Sequence, residues 1–358
     1  MGIYQSADRI IDPTRYPWGY RYLIDLIKTI TTQSDWQEGT LTGVEADSGD
    51  YLRLAEQYAL EFDGNGDYVE IPSSADLNPT NNFSVSAWFY AFDGTSRQAI
   101  FHKWESPYTD QILLRLGNGN ILFYINDGTT TGPASTNYNT NEWIHVVAVY
   151  DSSDGLYLYV NSTQESYYEH VGDLDDAQDK IGLGGHIGGD TLDGKLSNVL
   201  FYEKVLSQTE INSLYAGDVP TGSLVGHWPM NEGSGSTVYD ESTNNNDGTI
   251  HGATWTTSYL FGNRTQQFDL SNIGTVGSSK ISWVETLNSQ NITIETRLST
   301  DSGSTWTSWA EATNGDPIPD LSEGTDVSNG LLECRQTLST SDPSTTPELD
   351  ELKIEVYA

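Results

Sequence analysis

The chain opens on a helical pattern and then changes to alternation. Tyr20, Leu23, Ile24, Ile27 and Ile30 recur at the spacing of one apolar stripe on an amphipathic helix. The run is too short and too charged to cross a membrane. A lone helix of this kind has to cover its stripe, so residues 1–34 are expected to form a helical anchor. Its partner is either the chain's own sheets or a neighbouring subunit. From Asp35 onward, short alternating segments are separated by clusters of Gly, Asn, Asp, Ser and Thr, the pattern of an all-β sandwich or jelly roll. Strands are predicted at 83–90, 99–103, 112–116, 121–126, 143–150, 156–160 and 196–202, with hairpin turns at Asn118-Gly119 and Asp154-Gly155. One helix interrupts them. Ser207 and Glu210 form a capping box ahead of Ile211, Leu214 and Tyr215, and Gly217 ends the run.

Two alternating runs meet in A-L-E-F-D-G-N-G-D-Y-V-E-I-P at 59–72, a strand, a glycine-containing turn and a second strand. Within the turn Asp63, Asn65 and Asp67 place three side-chain oxygens at i, i+2 and i+4. That spacing wraps a hard cation or makes a solvated Asx turn, and both readings stand at this point. An EF-hand is excluded, because the sixth position is Tyr68 and the twelfth Ser74. Asp173, Asp175, Asp176 and Asp179 read as a charged loop.

Charge narrows the partners. The 358 residues carry 16 Lys+Arg against 51 Asp+Glu, a formal net charge of −35. Such a surface repels nucleic acid and anionic membranes, whose recognition relies on Lys and Arg. Apolar residues make up 36% and aromatics 11%, enough for packed cores rather than disorder. Cys334 is the single cysteine, so no disulfide forms within the chain and no Cys-based metal site is available. The first residues show neither a basic nor an apolar leader region, and the expectation is a protein made in the cytoplasm. Trp88 and Trp143 stand in strongly apolar runs and are expected in the core.

At this point a resemblance enters. The 59–72 stretch, F-S-V-S-A-W-F at 83–89, N-E-W-I-H-V-V-A-V-Y at 141–150, G-L-Y-L-Y-V-N at 155–161 and L-D-G-K-L-S-N-V-L-F-Y at 192–202 follow one another in order. Together they resemble a laminin-G-like, concanavalin-A-like jelly roll over residues 59–217. The segment 224–255 is similar to what usually precedes the F-D-G strand in that family, which suggests a circularly permuted domain. The flanks, with R-L-S-T-D-S-G-S-T-W-T-S-W near 297–309, resemble galactose-binding-like sandwiches of virion and surface proteins. The expected organisation is therefore a helical anchor at 1–34, a discontinuous β-sandwich at 35–56 and 256–358, and a jelly roll at 57–255 inserted between them. The first resemblance implies one structural calcium ion held by Asp63, Asn65, Asp67 and Asp193.

Glycan binding needs an aromatic platform beside polar groups that bond sugar hydroxyls. The candidates are Trp104, Tyr108, Tyr124 and His186. No E-x-D-x-E, G-x-S-x-G, P-loop or H-E-x-x-H motif is present, so a binding protein is expected rather than an enzyme. The leading expectation is a virion surface protein, a capsid turret, decoration or tail-fibre subunit. It would assemble with other virion proteins as a homo-oligomer and touch host-surface glycans, without membrane insertion. A cellular adhesin or carbohydrate-binding module is the alternative, and a glycoside hydrolase the third.

Overall fold

The computed structural model describes residues 26–358 apart from 43, 56, 106–108, 127–129, 175–178, 187–188, 259–260 and 341–345. Expectations placed on Tyr20, Leu23, Ile24 and Tyr108 lie outside the described residues. The chain divides into two compact units, one of residues 56–258 and one of residues 1–55 together with 259–358.

Unit 56–258 is two facing antiparallel sheets. The front sheet runs in the order Thr130–Asn137, Asn120–Asn126, Thr109–Gly117, Gln98–Glu105, Lys180–Leu183, Tyr68–Ile71, Gly248–His251, Thr237–Val238. The back sheet runs Thr163–Glu169, Gly155–Val160, Trp143–Asp151, Phe83–Ala91, Asp193–Tyr202, Gln57–Asp63, Thr254–Ser258, with Leu224–Trp228 also paired to Asp193–Tyr202. The segment after residue 224 thus adds strands to both sheets. Alternation dictates which side chains face inward. Phe83, Val85, Ala87 and Phe89 from the back sheet meet Phe101, Ile112, Leu114, Ile121 and Phe123 from the front in one buried core. At about 25 cal/mol per Å² of apolar surface, each such side chain contributes roughly 1.5–3 kcal/mol.

The helix Gln208–Tyr215 has the capping box its sequence predicts: Ser207 Oγ accepts from the Glu210 amide while Glu210 accepts from the Ser207 amide at 3.0 Å. It covers the outer face of the back sheet, where Val147, Val149, Leu200 and Tyr202 pack with Leu206, Ile211 and Leu214. The Asn118-Gly119 turn joins its two strands with both residues at positive φ (51° and 77°).

The other unit holds two five-stranded antiparallel sheets over a separate core. Here the helical expectation fails. Leu26–Ile30 is a strand, paired antiparallel to Glu348–Tyr357 from Leu26↔Val356 to Ile30↔Leu352. Ile30 is fully buried while Ile27, predicted on the same stripe, is 38% exposed. The β-branched Ile27, Thr29 and Ile30 favour extended backbone, and a partner strand outweighs the weak helical period. The local helix is Gln33–Trp36, capped by Thr32 and Asp35. Cys334 is buried in this core, which pushes its thiol up to about 12 and keeps it protonated.

A buried guanidinium fastens that short helix to the sheet. Arg264 Nε donates to the Trp36 carbonyl at 2.8 Å, and Nη2 to the Asp35 carbonyl at 3.1 Å. Nη1 and Nη2 also donate to Gln336 Oε1 at 2.7 Å and Gln266 Oε1 at 2.6 Å, and the group lies 5.4 Å from the Trp36 ring centre. Burial lowers Arg264 to about 10, so it stays a cation at neutral pH. On the same sheet Arg297 and Arg335 stack on Trp309, each 4.5 Å from its ring centre, and Arg297 also on Trp306. Their side chains are held by Glu333 and Glu295 across the strands.

Replacing Arg264 strands four acceptors in the interior. Arg264→Ala is expected to cost roughly 3–5 kcal/mol in the unfolding of this unit. Arg264→Lys is expected to recover little, because an ammonium cannot reproduce the fork. Urea denaturation of both variants measures this; a loss below about 1 kcal/mol for the alanine variant would overturn the role given to Arg264.

Candidate functional site

The outer face of the front sheet carries the candidate site. Cross-strand partners share a face, and the pairings align Tyr124 with Leu113, Leu113 with His102, His102 with Gly182, Gly182 with Glu70, and Glu70 with Thr249. One row therefore crosses six strands. Its inner-face neighbours Phe123, Phe101, Leu114 and Ile181 are buried, which holds the row rigid.

Each end of the row is shaped locally. Tyr124 stands at a bulge opposite Gly132, whose φ is +122°. A Cβ there would sit 2.8 Å from the Phe123 carbonyl oxygen and 3.5 Å from the Tyr124 ring, so glycine sets the position of that ring. Arg115, on the adjacent strand, stacks 5.3 Å from the Tyr124 ring centre and donates from Nη2 to the Tyr124 hydroxyl at 3.3 Å. Toward the centre, His186 folds back over the sheet and meets His102 edge-on, ring centres 4.3 Å apart. A side chain at Gly182 would collide with the Gly185 carbonyl oxygen at 2.2 Å and press on His186. Beyond it Lys180 bonds Glu70 at 2.8 Å, and Tyr68 stacks on His251 at 4.5 Å.

Of the four glycan candidates, Tyr124 and His186 thus lie on one face. Trp104 belongs to the strand Gln98–Glu105, in register with Lys180, but its side chain lies outside the described residues. Sequence reasoning missed His102 and Arg115. Arg115 was visible as the one charged position within I-L-L-R-L-G, two residues from Leu113 and so on its face.

The back sheet buries both tryptophans expected in the core, and does so on its outer side. Trp88 and Trp143 are each 7% exposed, yet neither lies between the sheets. Inward positions belong to Ala87, Phe89 and Ile144, so the tryptophans point outward. Trp88 stacks on Tyr215 of the covering helix at 5.7 Å, and Trp143 packs on Tyr90 at 5.8 Å. Both faces of these strands are apolar, which hides the period of two. Ser86 and His145 are bonded at 2.8 Å beneath them, and burial lowers His145 to about 3, so it stays neutral at ordinary pH.

The turn at 63–67 closes on itself. Asp63 Oδ1 accepts from the Asn65 amide at 2.8 Å, and Asp67 Oδ2 from the Asp63 amide at 3.1 Å. Asp193 pairs in register with Asp63. Among the described residues no group of three or more His, Cys, Asp and Glu side chains is arranged to hold a metal ion. The carboxylates nevertheless crowd one another. Asp193 is raised by burial and then by Asp93, Asp63 and Glu61, and Asp67 by burial and then by Asp63. A raised carboxylate favours the folded state below its unfolded value, and that contribution is lost as pH rises through the folded one. Asp193→Asn is therefore expected to raise the melting temperature at pH 7 and leave it unchanged near pH 3. A lower midpoint at pH 7 would contradict this account. The same pair of proteins tests a cation at the loop. CaCl2 added after chelation should raise the wild-type midpoint more than the variant's, and equal responses dismiss calcium here.

Residues 63–212 match the family model described as the concanavalin A-like lectin/glucanases superfamily. No curated protein matches the chain. Similar solved structures include a putative carbohydrate binding protein from Bacteroides ovatus, 18% identical over 57% of this chain and 60% of that one, with a TM-score of 0.47. Domain 4 of AbnA, a GH43 extracellular arabinanase from Geobacillus stearothermophilus in complex with arabinotriose, is 17% identical over 53% of this chain and 88% of that one, with a TM-score of 0.36. The CBM40 of the Ruminococcus gnavus IT-sialidase, bound to α2,3-sialyllactose, is 12% identical over 45% and 98%, with a TM-score of 0.35. The chain spans 60% of the length of the first of these structures. Residues 63–212, which lie in the unit of two facing sheets, are thus similar to the concanavalin A-like lectin/glucanases superfamily.

Proposed function

We propose that unit 56–258 is a glycan-binding module whose ligand lies across the outer face of the front sheet. The observation that carries this reading is the row from Tyr124 to Glu70, with Arg115 and His186 beside it. Sugars offer an apolar ring face and a rim of hydroxyls. The half-buried Tyr124 ring supplies the first contact, and guanidinium, imidazole and carboxylate groups supply partners for the second. Placement on paired strands rather than on a mobile loop lowers the ordering cost of binding. Retention of a sugar, not its cleavage, is the activity we assign.

The setting we propose is a virion surface, where an assembled particle would present many copies of the module. Multiple weak contacts then add as avidity. A cellular adhesin or carbohydrate-binding module would use the same face, and the composition of purified particles separates the two.

Tyr124→Ala is expected to weaken glycan binding by about tenfold or more, an anchoring contribution on the order of 1.4 kcal/mol. His186→Ala should weaken it to a smaller extent. Tyr167→Ala, on the back sheet's Thr163–Glu169 strand, should leave it unchanged. Titration calorimetry on a glycan first selected from an array makes the measurement. An array with no bound glycan, or equal losses in all three variants, removes this assignment.

A further inference from the structure

In a chain this acidic, an arginine left without a carboxylate partner needs an explanation. Six arginines are among the described residues: Arg53, Arg97, Arg115, Arg264, Arg297 and Arg335. Arg53, Arg97, Arg297 and Arg335 form ion pairs with Asp or Glu. Arg264 gives four hydrogen bonds to carbonyl and amide oxygens inside its core. Arg115 differs from all of them. Among the described residues its one side-chain partner is Tyr124, through one hydrogen bond and a stacking contact, and its Nε is buried with no acceptor among them.

The surroundings keep this guanidinium in place. Two residues along the same strand stands Gly117, where a Cβ would lie 3.0 Å from Arg115 Nη1 and 3.8 Å from Arg97 Cγ. A side chain there would press on the Arg115 guanidinium, so glycine is what lets it lie against this strand. Arg97 is 64% exposed and bonds Asp190 through Nε at 3.1 Å. Two guanidinium side chains therefore flank one glycine at the edge of the Tyr124 platform, and a single carboxylate answers them. With 51 Asp+Glu against 16 Lys+Arg in the chain, that local excess of positive charge runs against the overall balance.

We infer that the ligand of this face is an acidic sugar, whose carboxylate is taken by Arg115 while its ring lies on Tyr124. The inference rests on the glycan-binding reading above. A guanidinium presents five donors in a planar fork that matches a carboxylate, and bonds between two charged groups are about twice as strong as neutral ones. A neutral sugar would leave the charge unanswered in a partly desolvated place, which disfavours it. Uronic acids and sialic acids both offer a ring with an attached carboxylate, and the probes must separate them.

The decisive experiment compares acidic probes with their uncharged counterparts on the full chain: trigalacturonate against its methyl ester, and 3′-sialyllactose against lactose. At low salt the acidic member of at least one pair should bind about tenfold tighter or more, the discrimination expected of one charged hydrogen-bonded contact. The gap should shrink as NaCl is added. Discrimination in the first pair identifies a uronate, and in the second a sialic acid. Arg115→Gln should abolish the preference by weakening the acidic member about tenfold more than the neutral one. Equal affinities for charged and uncharged members, with glycans still bound, overturn the inference and leave the glycan-binding reading intact. Absence of any bound glycan on a broad array overturns both. If Arg115→Gln fails to fold, the wild-type pairs still decide, and Arg97→Gln should reduce the preference in part.

Discussion

Aromatic contacts between the two sheets of unit 56–258 are what the outer surfaces depend on. Phe83 of the back sheet meets Phe123 of the front at 6.0 Å, Phe101 of the front meets Phe201 of the back at 5.4 Å, and Phe83 and Phe201 adjoin within the back sheet at 6.0 Å. These contacts fix which residues of four strands face inward. A one-residue slip in a strand would turn its whole inward set to solvent, so the register is strongly specified. Once Phe101 and Phe123 are fixed inside, His102 and Tyr124 have to stand outside. The candidate site is therefore a consequence of the core, with glycines at 132 and 182 adjusting its two ends.

Charge scarcity is the second constraint. With so few cations, most described ones are assigned to a carboxylate close by, as in Lys28 with Glu38, Lys180 with Glu70 and Lys204 with Glu210. Exposed pairs of this kind add little stability, at most about 1 kcal/mol each. Their effect is to spread the negative surface evenly and to quench isolated positive charge. Arg264 escapes this arrangement because it is buried as a structural clamp. Arg115 escapes it at a surface. Four donors committed to protein oxygens make the first a clamp, while the second keeps donors that no carboxylate of the described residues has taken.

Local signals in the sequence were readable to the extent that their physics is local. The Ser207–Glu210 capping box and the Asn118-Gly119 turn depend on neighbours a few residues away, and both stand where the residues place them. Most strands on the alternating runs do as well. The Leu26–Ile30 strand was not readable, because its partner lies more than 320 residues later at Glu348–Tyr357. A helical period in a short β-branched segment loses to such a partner. Trp88 and Trp143 are buried as their apolar runs imply, but the face they point to was hidden for a different reason. Their strands are apolar on both faces, one covered by the opposite sheet and the other by a helix and aromatic neighbours, so burial and inward direction no longer coincide.

The site shows the same division. Tyr124 and His186 could be named from residue type, but the row joining them takes residues from strands that are not consecutive in the chain. No spacing rule connects Glu70, His102, Leu113, Tyr124 and Gly182; pairing does. The two outer faces then separate by what remains available on them. On the back sheet, Trp88 is stacked by Tyr215 and the central strands are covered by the helix, so the aromatic surface there is already used in packing. On the front sheet the Tyr124 ring is half-buried and shares its surroundings with a guanidinium that no carboxylate of the described residues has taken. Aromatic content alone would have favoured the back sheet. Unspent hydrogen-bonding capacity beside an accessible ring favours the front one, and recognition requires that combination rather than aromatic surface by itself.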